Sequence, residues 1–417
     1  MLEKALRGTA RYWLLLAFWT LIILAGAAAY YRQWNQGLGI TGMSRDVTWG
    51  LYIAQFTFLV GVAASAVMVV IPYYLHHDKN FGPMVILGEF LAVSAVIMCM
   101  LFVFVDLGQP RRVLNVLLHP SPHSVMFWDV VVLSGYLLLN LVIGTVTLDS
   151  ERKGAAPPRW VKPLVYLSIP WAVSIHTVTA FLYAGLSARP FWMTPLLAPR
   201  FLSSAFASGP SLLIILALIV RKTTRFDPGR GAIQKLATIV TYAMVINLFF
   251  VLVEVFTAFY SGIPEHRESL EYLFVGLDGK TLLVPWMWAC ELLTVGCVGL
   301  LLWPASRRND GLLAVVCVGV IAAVWIEKGL GLVVAGFVPS PLGQITQYRP
   351  SGPEMLIALG VYALGFFILT VLYKIVVSVR EGGGPAPIAA GDCPNIREAK
   401  MGLSPSVRPN SEPVLGT

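Results

Sequence analysis

The chain has 417 residues, of which 57% are hydrophobic and 12% are charged, and its formal net charge is +8. A composition this apolar excludes an ordinary soluble domain, in which about 25% of the residues are charged. The positive charge does not indicate a nucleic-acid partner, because Lys and Arg fall mainly in short connections between apolar segments. We therefore expect an integral membrane protein surrounded by lipid.

Apolar runs of about 20 residues, the length that spans a bilayer as a helix, recur along almost the whole chain. The backbone must satisfy its own hydrogen bonds in lipid, and the period-two alternation of a barrel strand is absent. The predicted fold class is therefore an all-α integral membrane protein with ten transmembrane helices. The predicted spans are 12–31, 49–75, 83–106, 126–148, 163–187, 200–220, 233–258, 281–303, 311–337 and 354–378.

The first span resembles a signal peptide, with Lys4, Arg7 and Arg11 before its apolar run, but the length of that run favours a retained anchor. Lys and Arg are more numerous in the N-terminus, the even-numbered connections and the tail than in the odd-numbered connections. The positive-inside rule then places both termini in the cytoplasm. We expect a multi-pass protein of a bacterial inner membrane.

The order of the spans suggests five units. We expect an anchor helix and outer loop over 1–48, a first four-helix bundle over 49–187 and a second over 188–337. An outer loop and the tenth helix occupy 338–380. The segment 381–417 is rich in Gly, Pro and Ser and is predicted to be a disordered cytoplasmic tail.

Histidine and cysteine spacing limits the cofactors that the chain itself could hold. Four of the five cysteines lie in apolar runs without a CxxC or Cys/His pattern, so neither a metal site, an iron–sulfur cluster nor a disulfide framework is expected. A membrane b-type haem normally needs two facing histidines, and only His176 lies deep within a span. We therefore expect no haem, iron–sulfur cluster or metal in this chain.

His176 lies near the middle of the fifth span, where an ionisable side chain is costly and indicates a functional site. Histidine suits a quinone headgroup, because it can donate a hydrogen bond and regain its proton near neutral pH. We predict that His176 binds the quinone and that Asp106 relays the proton, although Asp106 lies near the outer boundary. Trp49, Tyr52 and Gln55 are predicted to line the cleft. The alternative is that His176 is hydrogen-bonded inside a packed bundle.

Other buried acids have both functional and structural explanations. Asp129 and Glu291 follow Trp at an outer helix start, where a carboxylate suits a helix N-terminus; Asp129 is also a candidate for quinone binding. Glu327 beside Lys328 forms either an internal ion pair or part of a proton path. Trp residues near the helix ends are predicted to anchor the membrane interface: Trp34, Trp160, Trp192 and Trp303.

Four motifs together resemble one known family. They are GITGMSRDVTWGLYIAQF at 39–56, FVDLGQPRR at 104–112, PWAVSIHTVTAFLYAG at 170–185 and VPSPLGQITQYRPSGPE at 338–354. With ten spans and one deep histidine, the chain resembles the NrfD/PsrC family of membrane subunits of polysulfide-reductase-type complexes. It looks most like the ten-helix branch of the Qrc, Hmc and Dsr complexes of sulfate reducers and of alternative complex III, and within it Qrc.

The resemblance implies a menaquinone-interacting subunit of an anaerobic respiratory complex. A ferredoxin-like iron–sulfur subunit would dock on the periplasmic face and exchange electrons with menaquinone held in the first bundle. His176 and Asp106 match the histidine and acidic residue that serve the quinone in the family. Some members are proposed to move protons, which would give Glu89, Glu254, Glu291 and Glu327 a role in a proton path. A molybdopterin-type subunit and a multihaem cytochrome c would complete the complex.

Two other classes of function remain open at this point. Paired bundles with buried acids also fit a secondary transporter or proton channel, but such proteins usually have broken helices in corresponding positions of their two halves. Pro72 and Pro170 do not correspond in this way. A passive membrane anchor of a redox complex would not need the deep histidine.

Overall fold

The computed structural model describes residues 2–6 and 8–381, and over these ranges the chain is almost wholly helical without a β-strand. Among the described residues, ten helices are long and apolar enough to cross a membrane, which confirms the predicted all-α class and span number. They are α1 (Ala10–Gln36), α2 (Leu51–Leu75), α3 (Lys79–Asp106), α4 (Val125–Lys153), α5 (Val161–Ala184), α6 (Leu197–Thr223), α7 (Arg230–Ser261), α8 (Val284–Leu302), α9 (Asp310–Ala335) and α10 (Gly352–Glu381).

Helix α2 lies at the centre of the protein. The whole of its most apolar 18-residue window is buried, whereas only 17% of the corresponding window of α1 is buried. A helix that is apolar on every side belongs inside a protein or a membrane, and α2 packs against α3, α5, α6, α9 and α10. Residues at the outer end of α2 are therefore positioned by neighbours on every side.

The other helices pack in an order close to their order in the chain. Helices α2 to α5 contact one another in sequence, and so do α6 to α9, with α9 also packed on α6. Helix α10 packs along α1 and α3. These are the neighbours that two four-helix bundles require, while the bundle grouping and the unit boundaries stay predictions. Of the predicted tail 381–417, only Glu381 lies among the described residues.

Helices α1 and α10 cross at two glycines. A Cβ atom added to Gly26 would lie 2.6 Å from the Cα atom of Gly360, and one added to Gly360 would lie 2.8 Å from that of Gly26. Only hydrogen atoms fit at this crossing, as in the small-residue interfaces of membrane helices. The glycine pair therefore fixes how closely α1 approaches the rest of the protein.

Glu354, at the start of α10, joins two sequence motifs that lie far apart in the chain. Its buried carboxylate accepts hydrogen bonds from the backbone amides of Gly42 at 2.9 Å and Leu51 at 3.1 Å, and from the hydroxyl of Tyr348. The motif at 39–56 and the motif at 338–354 therefore meet at one carboxylate. This contact holds the outer end of α2 in place.

An aromatic cluster made of Trp49, Tyr183, Trp192 and Phe337 covers the outer end of this region. Trp49 stacks on Trp192 with the ring centroids 5.6 Å apart, and Tyr183 meets Trp192 edge-on at 5.0 Å. Trp192 is fully buried and donates its indole N–H to the Leu332 carbonyl at 2.9 Å. The prediction that Trp192 anchors the membrane interface is therefore wrong, because the connection between α5 and α6 folds inward.

Candidate functional site

Three polar side chains share one buried face of α5. His176, Thr179 and Tyr183 stand at positions i, i+3 and i+7, the spacing that puts residues on one side of a helix. All three are at most 1% exposed. From His176 to the last residue of α5 is eight residues, or about 12 Å along the axis. The three side chains form a polar column from mid-helix to the outer aromatic cluster.

His176 is the residue in this column whose hydrogen bonds are not satisfied. It is 1% exposed, and neither Nδ1 nor Nε2 has a hydrogen-bond partner in the part of the chain that the structure describes. The charged group that acts on it electrostatically is the Lys328 ammonium of α9. Because buried polar atoms are nearly always hydrogen-bonded, an imidazole with two unpartnered nitrogens indicates a place where something else binds.

Asp129 of α4 completes the column. Its Oδ1 atom accepts a hydrogen bond from the Thr179 hydroxyl at 2.7 Å, one helical turn from His176. Asp129 is 4% exposed, so its contact with α5 is buried. The next polar contact outward joins the hydroxyls of Tyr183 and Thr57 at 2.5 Å, which connects the column to α2.

Asp106 lies in a different environment. It is the last residue of α3, one of its carboxylate oxygens is buried without a partner, and it lies within electrostatic reach of Tyr52 and Glu354. Neither ring nitrogen of His176 bonds to it. The geometry therefore brings Asp129, rather than Asp106, to the face of α5 that carries His176.

The three residues expected to line the cleft are engaged in contacts within the protein. Tyr52 donates its hydroxyl to the Gln33 side chain at 2.7 Å. The Oε1 atom of Gln55 accepts from the Trp325 indole at 2.7 Å and from the Tyr362 hydroxyl at 2.6 Å. Trp49 belongs to the outer aromatic cluster, with its ring 5.4 Å from that of Tyr183. Of the three, Trp49 makes a direct contact with the polar column.

We refer to helices α2 to α5 as the first half of the protein and to helices α6 to α9 as the second half. Glu89 is a second group without a partner in the first half, toward the inner end of α3. It is 1% exposed, and both carboxylate oxygens lack a hydrogen-bond partner. A Cβ atom added to Gly144 of α4 would lie 3.1 Å from one of these oxygens, so the missing side chain makes room for the carboxyl group. An unpartnered ionisable side chain within a membrane helix indicates a functional position.

In the second half of the protein, α6 to α9, one arginine and two acids form a buried ion-pair cluster. Arg200 of α6 forms an ion pair with Glu254 of α7, and donates from Nε at 3.0 Å and from Nη2 at 2.7 Å to Oε1 of Glu327 on α9. Asn247 donates to the second oxygen of Glu327 at 2.9 Å. Glu327 therefore forms an internal ion pair, but with Arg200 rather than with its neighbour Lys328.

Lys328 points away from these acids, toward α2. Its ammonium donates to the Phe201 carbonyl at 3.3 Å, lies 4.2 Å from the centroid of the Phe201 ring, and is 3.5 Å from the position of a Cβ atom at Gly61. Glu327 and Lys328 both lie in a π-helical turn, Trp325–Gly331. Such turns often occur at functional sites, and in this one Glu327 bonds to side chains of α6 and α7, whereas Lys328 lies between α6 and α2.

A small cavity borders the paired acids. It is lined by Arg200, Glu254, Glu291 and Glu327 together with apolar side chains. Its volume is about 10 Å³, enough for about one water molecule. Three of the four acids predicted to conduct protons thus meet at one place, while Glu89 lies apart from them in the other half.

Sequence reasoning missed Thr179, Tyr183 and Arg200. The first two could have been found, because their spacing from His176 places them on the same helix face. Arg200 is the first residue of the predicted sixth span, 200–220, whereas α6 begins at Leu197 and carries Arg200 inside the protein. No local sequence pattern indicates its partners, because Glu254 and Glu327 lie 54 and 127 residues away along the chain.

Comparison with known proteins gives a family and several distant relatives. The chain is 22% identical over 384 residues to the Hdr-like menaquinol oxidoreductase integral membrane subunit of Archaeoglobus fulgidus, covering 87% of this chain and 94% of that protein. It is 23% identical to the menaquinone reductase integral membrane subunit of Nitratidesulfovibrio vulgaris, with coverages of 84% and 87%. It is 24% identical to a selenate reductase subunit of Mesobacillus selenatarsenatis, with coverages of 64% and 69%.

A family model described as polysulphide reductase, NrfD, matches residues 39–339. This range includes α2 to α9, the polar column and the paired acids. The chain therefore belongs to the NrfD family of multi-pass membrane subunits of oxidoreductase complexes.

Proposed function

We propose that this chain exchanges electrons between an iron–sulfur subunit on its outer face and menaquinone bound beside His176. The observation that carries the proposal is the buried imidazole whose two nitrogens have no partner. Two relatives whose names specify menaquinone or menaquinol support the choice of quinone. The outer face corresponds to the periplasm of a bacterial inner membrane, with the N-terminus in the cytoplasm.

The residues of the polar column fit a quinone headgroup. A quinone needs a hydrogen-bond donor for each carbonyl, an apolar cleft and a route for protons. His176 supplies an N–H donor, and the Thr179 and Tyr183 hydroxyls lie one and two turns farther out on the same face. Menaquinone, when bound, supplies the two-electron and two-proton chemistry.

The protein's own residues would manage the proton. His176 donates to the carbonyl and regains a proton at its ring nitrogen, as imidazole does near neutral pH. Asp129 holds the Thr179 hydroxyl in position and can accept a proton close to the headgroup. Asp106, farther out, is assigned the step between this pair and the outer surface, because one of its oxygens has no partner among the described residues and its carboxyl group acts electrostatically on Tyr52 and Tyr183.

The aromatic cluster of Trp49, Tyr183, Trp192 and Phe337 supports docking of a redox partner above the column. It lies between the column and the outer loops, and Arg189 lies over Phe337 at 4.4 Å. A ferredoxin-like subunit seated there would bring a cluster toward the quinone across packed aromatic rings. A molybdopterin-type subunit and a multihaem cytochrome c are the further partners we propose.

Proton transfer across the membrane is a second part of the proposal. The cavity at Glu254, Glu291 and Glu327 has room for about one water molecule next to three carboxyl groups, which favours proton exchange on that side. Glu89 is an unpaired acid near the inner end of α3. The cavity and Glu89 suit an outer and an inner site at which a proton is held during transfer, each of which we call a proton stop. Lys328 lies between the two halves.

The test is turnover of the assembled complex with a menaquinol analogue. His176→Ala is expected to lower turnover by about 100-fold or more, the usual cost of losing a general acid or base, while the partner subunits still copurify. Thr177→Ala is the matched control, because the Thr177 hydroxyl is exposed and bonds only to the Val173 carbonyl at 3.0 Å. Wild-type turnover in His176→Ala would remove His176 from the quinone site.

A further inference from the structure

The inner end of the second half holds an open basic groove that the redox proposal does not use. Its volume is about 550 Å³. It lies between the start of α7 and the short helix Pro304–Arg308 that joins α8 to α9. Its polar lining consists of Arg230, Gln234, Lys235 and Thr238 on α7 and of Arg307 and Arg308 in the connection.

The charges of this groove are only partly balanced. Lys235 forms an ion pair with Asp78, which lowers the pKa of that carboxyl. The next carboxylates along the chain are engaged elsewhere: Asp227 accepts from the Gly229 amide at 3.0 Å, and Asp310 pairs with Arg221. The guanidinium groups of Arg230, Arg307 and Arg308 therefore face the groove without a carboxylate partner among the described residues.

The arginines are held in place by neutral groups. Arg230 donates to the Arg308 carbonyl at 2.9 Å, Arg307 donates to the Thr241 hydroxyl at 3.3 Å, and Gln234 donates to the Arg307 carbonyl at 2.6 Å. The bonds of Arg230 and Arg307 each use one donor of the guanidinium and leave others free, since arginine has five N–H donors. Arg230 and Arg307 thus hold guanidinium donors in place at the groove, Arg308 adds a third charge, and such a set of cationic donors suits phosphate oxygens.

The groove opens onto a surface that faces lipid. On α7 the residues Arg230, Gln234 and Thr238 recur every four positions, and the next turns of the same face carry Tyr242 and Phe249, which are 68% and 59% exposed. Across the groove, Trp303 is 64% exposed at the end of α8. Exposed Trp and Tyr mark the level of the lipid headgroups, so the groove lies at that level with hydrocarbon-facing side chains next to it.

We infer that this groove is a binding site for the headgroup of an anionic phospholipid in the inner leaflet. The arginines hold the phosphate oxygens, and the acyl chains lie along the exposed apolar strip of α7. Basic pockets between helices on the cytoplasmic side are the usual form of such sites. Because three arginines of the groove lack a carboxylate partner among the described residues, a lipid with two phosphate groups binds more tightly than a lipid with one.

Native mass spectrometry of the full chain in its complex tests the inference. Cardiolipin, phosphatidylglycerol and phosphatidylcholine are titrated separately into delipidated protein. We expect cardiolipin to bind most tightly and phosphatidylcholine most weakly. Arg307→Gln with Arg308→Gln should weaken cardiolipin binding by about tenfold or more, because charge-assisted hydrogen bonds are lost. Arg307→Lys with Arg308→Lys keeps the charges and should retain more affinity than the Gln pair.

The matched control is Arg159→Gln with Lys162→Gln, which removes two charges from another inner segment outside the groove lining. This pair should bind cardiolipin like the wild type. An equal loss in both double variants would attribute binding to overall surface charge and overturn the site. Displacement of bound lipid by millimolar inorganic phosphate would assign the groove to a free anion instead, and would equally overturn it.

Discussion

His176 and Glu89 in the first half of the protein differ from Arg200, Glu254 and Glu327 in the second half in how their side chains are bonded. Between α2 and α5, His176 and Glu89 are almost fully buried, and none of their side-chain nitrogen or oxygen atoms has a partner. Between α6 and α9, Arg200 bridges Glu254 and Glu327, and Asn247 satisfies the remaining oxygen. The contrast separates groups kept free for a ligand or a proton from groups that hold helices together.

Burial alone therefore does not identify the functional residue. Glu327 and His176 each lie on the fourth helix of their half and are both nearly inaccessible. Removing one member of a buried ion pair leaves its partner uncompensated, whereas removing an unpartnered group leaves no broken bond. Substitutions in the ion pairs of the second half should therefore lower stability, whereas substitution of His176 in the first half should lower quinone binding with little effect on stability.

The largest loss of stability is expected from Arg200→Ala. This change leaves the carboxylates of Glu254 and Glu327 buried without their cation, which costs about 3–5 kcal/mol. Thermal unfolding of the purified protein in detergent should register it as a marked fall in the midpoint. Arg200→Lys, which keeps the charge but not the fork of donors, should fall between Arg200→Ala and the wild type. Unfolding at the wild-type temperature in Arg200→Ala would show that the ion pairs are not what stabilises this half.

A smaller effect is expected from Thr179→Val, which keeps the side-chain volume and removes the hydrogen bond to Asp129. Buried side-chain bonds between membrane helices contribute on average about 0.6 kcal/mol and at most about 1.7 kcal/mol. We expect a loss of stability in that range and a weaker affinity for a quinol-site inhibitor. Thr177→Val serves as the control, since its hydroxyl is exposed. Unchanged inhibitor affinity would separate Asp129 from the quinone site.

The smallest change in stability is expected from Glu89→Gln. The substitution preserves shape and breaks no hydrogen bond, so the free energy of unfolding should change by less than about 1 kcal/mol. If Glu89 is a proton stop, proton release coupled to turnover in vesicles should fall while electron transfer in detergent continues. A loss of stability as large as that of Arg200→Ala would mean that Glu89 is a structural residue.

Much of this molecule could be predicted from the sequence, and the limits have physical reasons. Hydropathy places all ten spans because lipid demands long apolar helices, and the depth of His176 marks it because charge is costly there. The sequence could not decide between Asp106 and Asp129, since that depends on which residue of α4 faces Thr179. The sequence also predicted Trp192 at the membrane interface, because no local sequence pattern indicates that the connection between α5 and α6 folds into the protein.

The most direct test of the proposed quinone site is to measure quinone-site binding in two variants, one from each half of the protein. A fluorescent quinol-site inhibitor is titrated into the purified complex, and the quenching of its fluorescence is measured. The complex carries either His176→Ala or, as the counterpart from the half with the ion pairs, Glu254→Gln. We expect saturable binding to be lost in the first variant and kept in the second, with both complexes intact. Binding kept in His176→Ala and lost in Glu254→Gln would move the quinone to the second half and contradict the account.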